Sequence, residues 1–194
     1  MEYSSLPVIT KEIIKVEYEQ ALEDCLNILA GDKWKAIPKR LGYTKHKTKF
    51  GYAMTDGELQ INEAFINTRS YTKLRNTLRH EMAHFSLGFT VNHNKIFKYR
   101  EYMFEGNKQV PEKEIEDVTD NIEYKYTLIA HLMGGQQVLI GGVHNKTTTY
   151  SKYEEKVKAG TAKKTFSINR VKVERFEFIL NKKGQQKGSY IHGR

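Results

Sequence analysis

The segment from Tyr71 to Phe89 constrains the fold more than any other part of the sequence. Its apolar residues recur every three or four positions, which predicts a helix with one buried face. Within it, His80 and His84 are four residues apart, so both imidazoles project from the same face, with Glu81 beside them. Two histidines one helical turn apart favour binding of a single metal ion.

A metal at this helix requires a third protein ligand, because catalytic zinc usually has three protein ligands and one open position. His93 is the best candidate, since eight residues after His84 suffice for the chain to turn back. Glu101, Glu105 or a later carboxylate is the alternative. The single cysteine, Cys25, excludes a cysteine-built zinc site and lies on an apolar helical stripe, which predicts a buried, inert thiol.

Other patterns predict the elements around this helix. Leu59 and Ile61 are expected to face the core from a short strand. The predicted elements are a helix from Thr10 to Gly31, two strands within 48–62 joined through Asp56-Gly57, and a helix from Asn94 to about Phe104.

The second part of the chain has a different character. Residues 124–143 and 163–180 are rich in β-branched and aromatic residues, which predicts strands. We expect the lysine-rich stretch between them to be mobile or to become ordered on a partner. The sequence thus predicts a domain over 1–110, an acidic linker over 111–123, and a basic β-rich element over 124–194.

Positive charge is concentrated near the end of the sequence. Residues 145–194 contain 13 Lys and Arg against 4 Asp and Glu, whereas the two classes balance at 19 each in residues 1–144. Localised positive charge attracts polyanions such as nucleic acid, although it is also typical of a solvated surface. The candidate nucleic-acid contacts are Lys152, Lys156, Lys158, Lys163, Lys164, Arg170 and Lys172.

The stretch around the histidines resembles the SprT-like family of zinc metalloproteases. The family motif is HExxH, a short loop, and a His followed by an aromatic residue four positions later. The upstream stretch 40–67 also resembles the family's hairpin, and the resemblance covers roughly residues 10–105. The matching positions are His80, Glu81, His84, His93 and Phe97.

The resemblance implies an α+β fold: a zincin-like helical metalloprotease domain with a short β-hairpin, followed by a small ribbon-like β element. It implies one zinc ion per chain, bound by His80, His84 and His93, with Glu81 as the general base. The family includes Spartan, a protease of DNA–protein crosslinks, so the expected partners are a protein substrate and DNA. Many members end in a cysteine-bound zinc ribbon, whereas here the ribbon-like element lacks those cysteines and is expected to be metal-free.

Two other classes of function are compatible with these patterns. One is a non-enzymatic nucleic-acid-binding module with a structural zinc site, and the other is an assembly protein that keeps the fold as a scaffold. Glu81 argues against both, because a purely structural site needs no base beside the metal. The sequence contains no apolar run of about 20 residues and no signal peptide, so we expect no membrane partner and a cytoplasmic location, in a host cell if the chain is virus-encoded.

Overall fold

Helices dominate the first part of the chain, and a β-sheet dominates the second. The computed structural model describes residues 3–181. The chain divides into two compact units, Met1–Val118 and Thr119–Arg194. We call them the helical unit and the sheet unit, and together they give the mixed α+β composition that the sequence predicts.

The helical unit contains four α-helices and three strands within its described residues. A short 3-10 turn at Tyr3–Ser5 precedes them, and two more, at Gly31–Lys33 and Glu63–Phe65, lie between them. The longer elements are α1 (Lys11–Ile28), β1 (Arg40–Thr44), β2 (Gly51–Ala53), β3 (Glu58–Asn62), α2 (Tyr71–Leu87), α3 (Lys95–Met103) and α4 (Glu112–Asp120).

Helix α1 begins where the sequence predicts and ends earlier. Thr10 caps it by accepting a hydrogen bond from the Ile13 backbone N–H at 3.3 Å. The helix ends before Gly31 because Leu29 is extended and its carbonyl accepts the Trp34 indole N–H at 2.8 Å. Cys25 is fully buried, and this burial raises the pKa of its thiol to about 12, which confirms the prediction of an inert residue.

The sheet of the helical unit has the order β1-β3-β2. Strands β2 and β3 form the predicted antiparallel hairpin, and Gly57 in its turn has φ 94°, a conformation that favours glycine. Leu59 and Ile61 are fully buried, as predicted. Strand β1 was not predicted; it pairs in parallel with β3, Leu41 lying opposite Leu59.

Residues 111–123, the predicted acidic linker, contain helix α4. Val118 of this helix is fully buried and Glu114 is 4% exposed. The Glu114 carboxylate accepts the Lys73 backbone N–H at 2.8 Å, in the first turn of α2. A carboxylate at a helix N-terminus satisfies a free N–H and interacts favourably with the helix dipole. Helix α4 therefore supports the start of α2.

The sheet unit contains a four-stranded sheet of order β5-β4-β7-β6. The described residues between β5 and β6 include two short helices, so part of the lysine-rich stretch is helical without a partner, and whether a partner orders the rest stays a prediction. Tyr153 explains the helical part, because it is 3% exposed and packs with Ala130, Leu132 and Val173 in the core. The elements are β4 (Tyr126–Leu132), β5 (Gln137–Val143), α5 (Thr148–Ser151), α6 (Tyr153–Lys158), β6 (Ser167–Ile168) and β7 (Val171–Leu180).

Within residues 3–181, none of the helices combines the length and the apolar character needed to cross a membrane.

Candidate metal centre

Three histidine side chains converge at one point of the helical unit. The Nε2 atom of His93 lies 3.1 Å from Nε2 of His80 and 3.2 Å from Nε2 of His84. A ligand atom of each of the three residues lies within 4.8 Å of those of the other two. The structure therefore brings the three predicted ligands together, with His93 and not a carboxylate as the third.

The loop between α2 and α3 explains how His93 reaches the other two. Gly88 ends α2 with φ 90°, a conformation that residues with a Cβ rarely adopt, and the chain reverses there. Asn94 then caps α3 by accepting the backbone N–H groups of Ile96 and Phe97 at 3.0 and 3.1 Å. His93 immediately precedes this cap, so a fixed turn at each end of the loop determines its position.

Phe97 supports all three imidazoles from one side. Its ring is fully buried, and its centroid lies 4.4 Å from that of His84, 4.6 Å from that of His93 and 4.9 Å from that of His80. A closely packed ring restricts the orientations that each imidazole can adopt. Phe97 therefore preorganises the cluster without offering a ligand atom.

Glu101 fixes the orientation of His80. Its Oε1 lies 2.6 Å from Nδ1 of His80, on the side of the ring opposite the cluster. A hydrogen bond from Nδ1–H to the carboxylate leaves the lone pair of Nε2 facing the other two histidines. Metal-binding histidines commonly donate their second N–H to a carboxylate in this way.

The cluster fits a tetrahedral metal ion. Zinc–nitrogen bonds of about 2.0–2.1 Å at tetrahedral angles place ligand nitrogens about 3.3 Å apart. The measured separations of 3.1 and 3.2 Å agree with that spacing. Burial, followed by the neighbouring His80 and His93, lowers the pKa of His84 to about 4, so its ring is neutral near pH 7, as a metal ligand requires. These three residues can bind a metal ion.

Glu81 lies beside the cluster and is 6% exposed. Burial raises the pKa of its carboxyl to about 7, opposed by the charge on His80 and by a hydrogen bond from the Ala53 backbone. Strand β2 approaches Glu81 so closely that a Cβ at Gly51 would lie 2.9 Å from the Glu81 Oε1 atom. Only glycine fits at this point without displacing the carboxylate.

The cluster and Glu81 open into a cleft of about 700 Å³ between β2 and α2. Clefts of this size accommodate part of a peptide or a small molecule. Its other lining residues come from residues 49–55, from α2 and α3, and from the loops that follow these helices.

Comparison with known proteins identifies this part of the chain. Residues 25–116 match the model of the SprT-like family. This part of the chain belongs to the SprT-like family. No curated protein and no solved structure matches the chain. The SprT-like domain contains the three histidines, Glu81, Phe97 and Glu101, so the whole cluster lies within the matched residues.

The predicted nucleic-acid contacts lie in the sheet unit, outside the SprT-like match. All seven are exposed. Lys158 forms an ion pair with Glu154 at 2.7 Å. The seven occupy the residue before α6, helix α6 itself, the connection to β6, the β6–β7 turn and strand β7, and their role in binding DNA stays a prediction.

His131, also outside the SprT-like domain, belongs to a different arrangement. Its Nε2 lies 2.7 Å from Oε2 of Glu177, and its Nδ1 lies 3.1 Å from Nη2 of Arg175. Both ring nitrogens are therefore engaged by side chains of β7. In the part of the chain that the structure describes, His80, His84 and His93 are the only group of three or more potential metal-binding side chains.

Sequence reasoning missed two features of the SprT-like domain. It treated Glu101 as an alternative ligand, whereas the structure places it behind His80; the signal was the four-residue spacing from Phe97 to Glu101, which puts both on one face of α3. It also missed the contact between Glu81 and strand β2, which depends on how the hairpin packs against α2. Glu105, the other alternative, pairs with Arg79 and Lys108 instead.

Proposed function

We propose that this protein is a zinc-dependent endopeptidase of the SprT-like type that acts on proteins bound to DNA. The observation that carries the proposal is the convergence of three imidazole side chains beside a buried carboxylate in an open cleft. Zinc suits three imidazole ligands and in catalytic sites keeps a fourth coordination position for water or substrate. His80, His84 and His93 would bind one zinc ion per chain.

Bound zinc would supply Lewis-acid chemistry by polarising a peptide carbonyl and acidifying water. Glu81 acts as the general base: it accepts a proton from the attacking water and delivers it to the leaving amine. Glu101 positions His80, and Phe97 restricts all three rings.

The buried carboxylate of Glu81 also favours an enzyme over a scaffold. A structural zinc site needs no buried carboxylate beside its ligands, and burying one without function costs stability. Glu81 nevertheless lies buried at the wall of the cleft. This favours a peptidase over a binding module with a structural metal.

Casein cleavage tests the peptidase proposal. Zinc-loaded wild-type protein and Glu81→Gln are compared, with the zinc content of each measured by elemental analysis. We expect one zinc per chain in both and a loss of cleavage of about 100-fold or more in Glu81→Gln, because only the general base is removed. Equal cleavage by the two proteins, or absence of bound zinc, would contradict the proposal.

The DNA part of the proposal depends on the charge of residues 145–194. Lysine contacts to phosphates release counterions, so binding to a labelled single-stranded oligonucleotide should fall steeply with salt. Lys163→Glu with Lys164→Glu should weaken it, and Lys11→Glu with Lys15→Glu on α1 provides an exposed control with the same change of charge. Equal affinity of both variants and the wild type would argue against contacts at these two lysines.

A further inference from the structure

Two lysines lie in the cleft, near the starts of β2 and α2. Lys49 immediately precedes Phe50 and β2, and Lys73 is in the first turn of α2; both line the cleft that contains Glu81. The Nζ atom of Lys49 lies 4.0 Å from the centroid of the Tyr52 ring, and that of Lys73 lies 4.7 Å from the centroid of Phe50. Aromatic rings thus position both ammonium groups.

Neither lysine has an acidic partner at salt-bridge distance among the described residues, although the charge of Lys49 acts on Glu81 and His84. Lys11 and Lys45 both pair with Glu63 at 3.5 Å. Within residues 3–181, by contrast, no carboxylate oxygen lies within 4.0 Å of either cleft ammonium group. Lys73 is half-buried, and the loss of water lowers the pKa of its amine. An anionic group entering the cleft would offset that unfavourable desolvation.

The distance from Lys73 to the centre matches a few residues of an extended peptide. Lys73 precedes Glu81 by eight residues, which corresponds to about 12 Å along a helix. An extended chain covers about 3.3 Å per residue, so this distance equals three to four residues. Strand β2 runs beside α2 over this distance, since Phe50 contacts Lys73 and Ala53 bonds to Glu81. The cleft is therefore a channel with Lys73 at one end, and Lys49 adds positive charge nearer the centre.

We propose that Lys73 forms a cationic subsite that binds an acidic side chain of the substrate three to four residues from the cleaved bond, with Lys49 adding positive charge to the same cleft. This inference rests on the proposed peptidase function and names a class of preferred substrate: unfolded segments with Glu or Asp at that distance. A peptide carboxylate is favoured over a nucleic-acid phosphate because the subsite lies in the same channel as Glu81.

Peptide binding tests the subsite separately from catalysis. The peptides span a bond that zinc-loaded wild-type protein cleaves in casein, with Glu, Gln or Lys placed three or four residues to either side. Binding to the full-length Glu81→Gln protein is measured by fluorescence anisotropy. On one side of the bond we expect the Glu peptide to bind about tenfold more tightly than the Gln peptide, and the Lys peptide most weakly.

Lysine variants in the Glu81→Gln background complete the test. Lys73→Gln and, separately, the exposed Lys49→Gln should each reduce the preference for Glu, whereas Lys15→Gln on α1 should preserve it. Equal binding of Glu and Gln peptides would overturn the subsite while leaving the peptidase intact. Failure of wild-type protein to cleave casein at any bond would overturn the peptidase function itself. If an oligonucleotide displaces the peptide and Lys73→Gln abolishes this competition, the ligand of the subsite would be nucleic acid and not an acidic peptide.

Discussion

Each unit of the molecule contains a histidine bonded to a glutamate, and the two histidines differ in what their second ring nitrogen faces. His80 Nδ1 lies 2.6 Å from Glu101, and His131 Nε2 lies 2.7 Å from Glu177. The second nitrogen of His80 faces two further histidines, whereas that of His131 faces Arg175. A carboxylate beside one ring nitrogen therefore does not by itself make a metal site. The group that faces the other ring nitrogen determines whether a metal ion can bind.

The largest expected difference between the two units is in zinc binding. His84→Ala removes one of the three proposed ligands and should weaken zinc affinity by more than about 100-fold. Loss of a residue that only hydrogen-bonds to a metal ligand costs about 10- to 100-fold, so loss of a ligand itself should exceed that range. His131→Ala should leave the affinity unchanged. Competition with a chromogenic chelator measures both. Equal losses of zinc affinity in the two variants would show that the histidine cluster of the helical unit does not differ from His131 in zinc binding.

The buried carboxylate of the helical unit should give the metal-free protein a distinctive pH dependence. Glu81 has a pKa of about 7 when folded and an ordinary value near 4.5 when unfolded, so the folded state binds the proton more strongly. Its contribution to the free energy of unfolding therefore falls as pH rises from about 4.5 to 7, by about 3 kcal/mol at most. Urea unfolding of metal-free wild-type protein and Glu81→Gln across this range measures it.

His84 acts in the opposite direction, which is why the variant is needed. Its pKa is about 4 in the folded protein against an ordinary 6.5, so its contribution to stability rises as pH increases between these values. In Glu81→Gln this rise is no longer offset, and the variant should gain stability relative to wild type as pH increases. Parallel curves for the two proteins would contradict the raised pKa of Glu81.

A smaller effect should separate the two glutamates. Glu101→Gln weakens the orientation of His80 and should reduce zinc affinity by about 10- to 100-fold. Glu177→Gln is the matched control, because its carboxylate bonds a histidine at nearly the same distance and should leave zinc affinity unchanged. An unaltered affinity in Glu101→Gln would mean that Phe97 alone suffices to orient the cluster.

The parts of the site that could be predicted from the sequence are local. His80 and His84 share a helical face by spacing alone, and Asn94 is a typical helix cap that places His93 just before α3. The hairpin was predictable too, because Asp56-Gly57 is a specific turn signal. In each case the interactions that define the element join residues only a few positions apart.

The features that were missed depend on contacts between distant segments. Strand β1 has little alternation, and its place depends on pairing in parallel with β3, 18 residues further on. Tyr153 lies among lysines, and only the sheet beneath it explains why a helix forms there. Glu101 was an alternative third ligand in the sequence, but whether it joins the histidine cluster or hydrogen-bonds to His80 depends on how α3 packs on α2.

The smallest expected effect concerns His131, and it completes the comparison. If this histidine serves only the fold, His131→Ala should lower the free energy of unfolding of the sheet unit by about 1–2 kcal/mol, because Arg175 and Glu177 lose a shared partner. Gln137→Ala is the matched control: Gln137 lies opposite His131 on β5 and is exposed, so its loss should cost little. Urea unfolding measures both variants. If His131 bound zinc, His131→Ala would lower the free energy of unfolding only when zinc is present. A loss of stability that a chelator abolishes would therefore contradict a structural role.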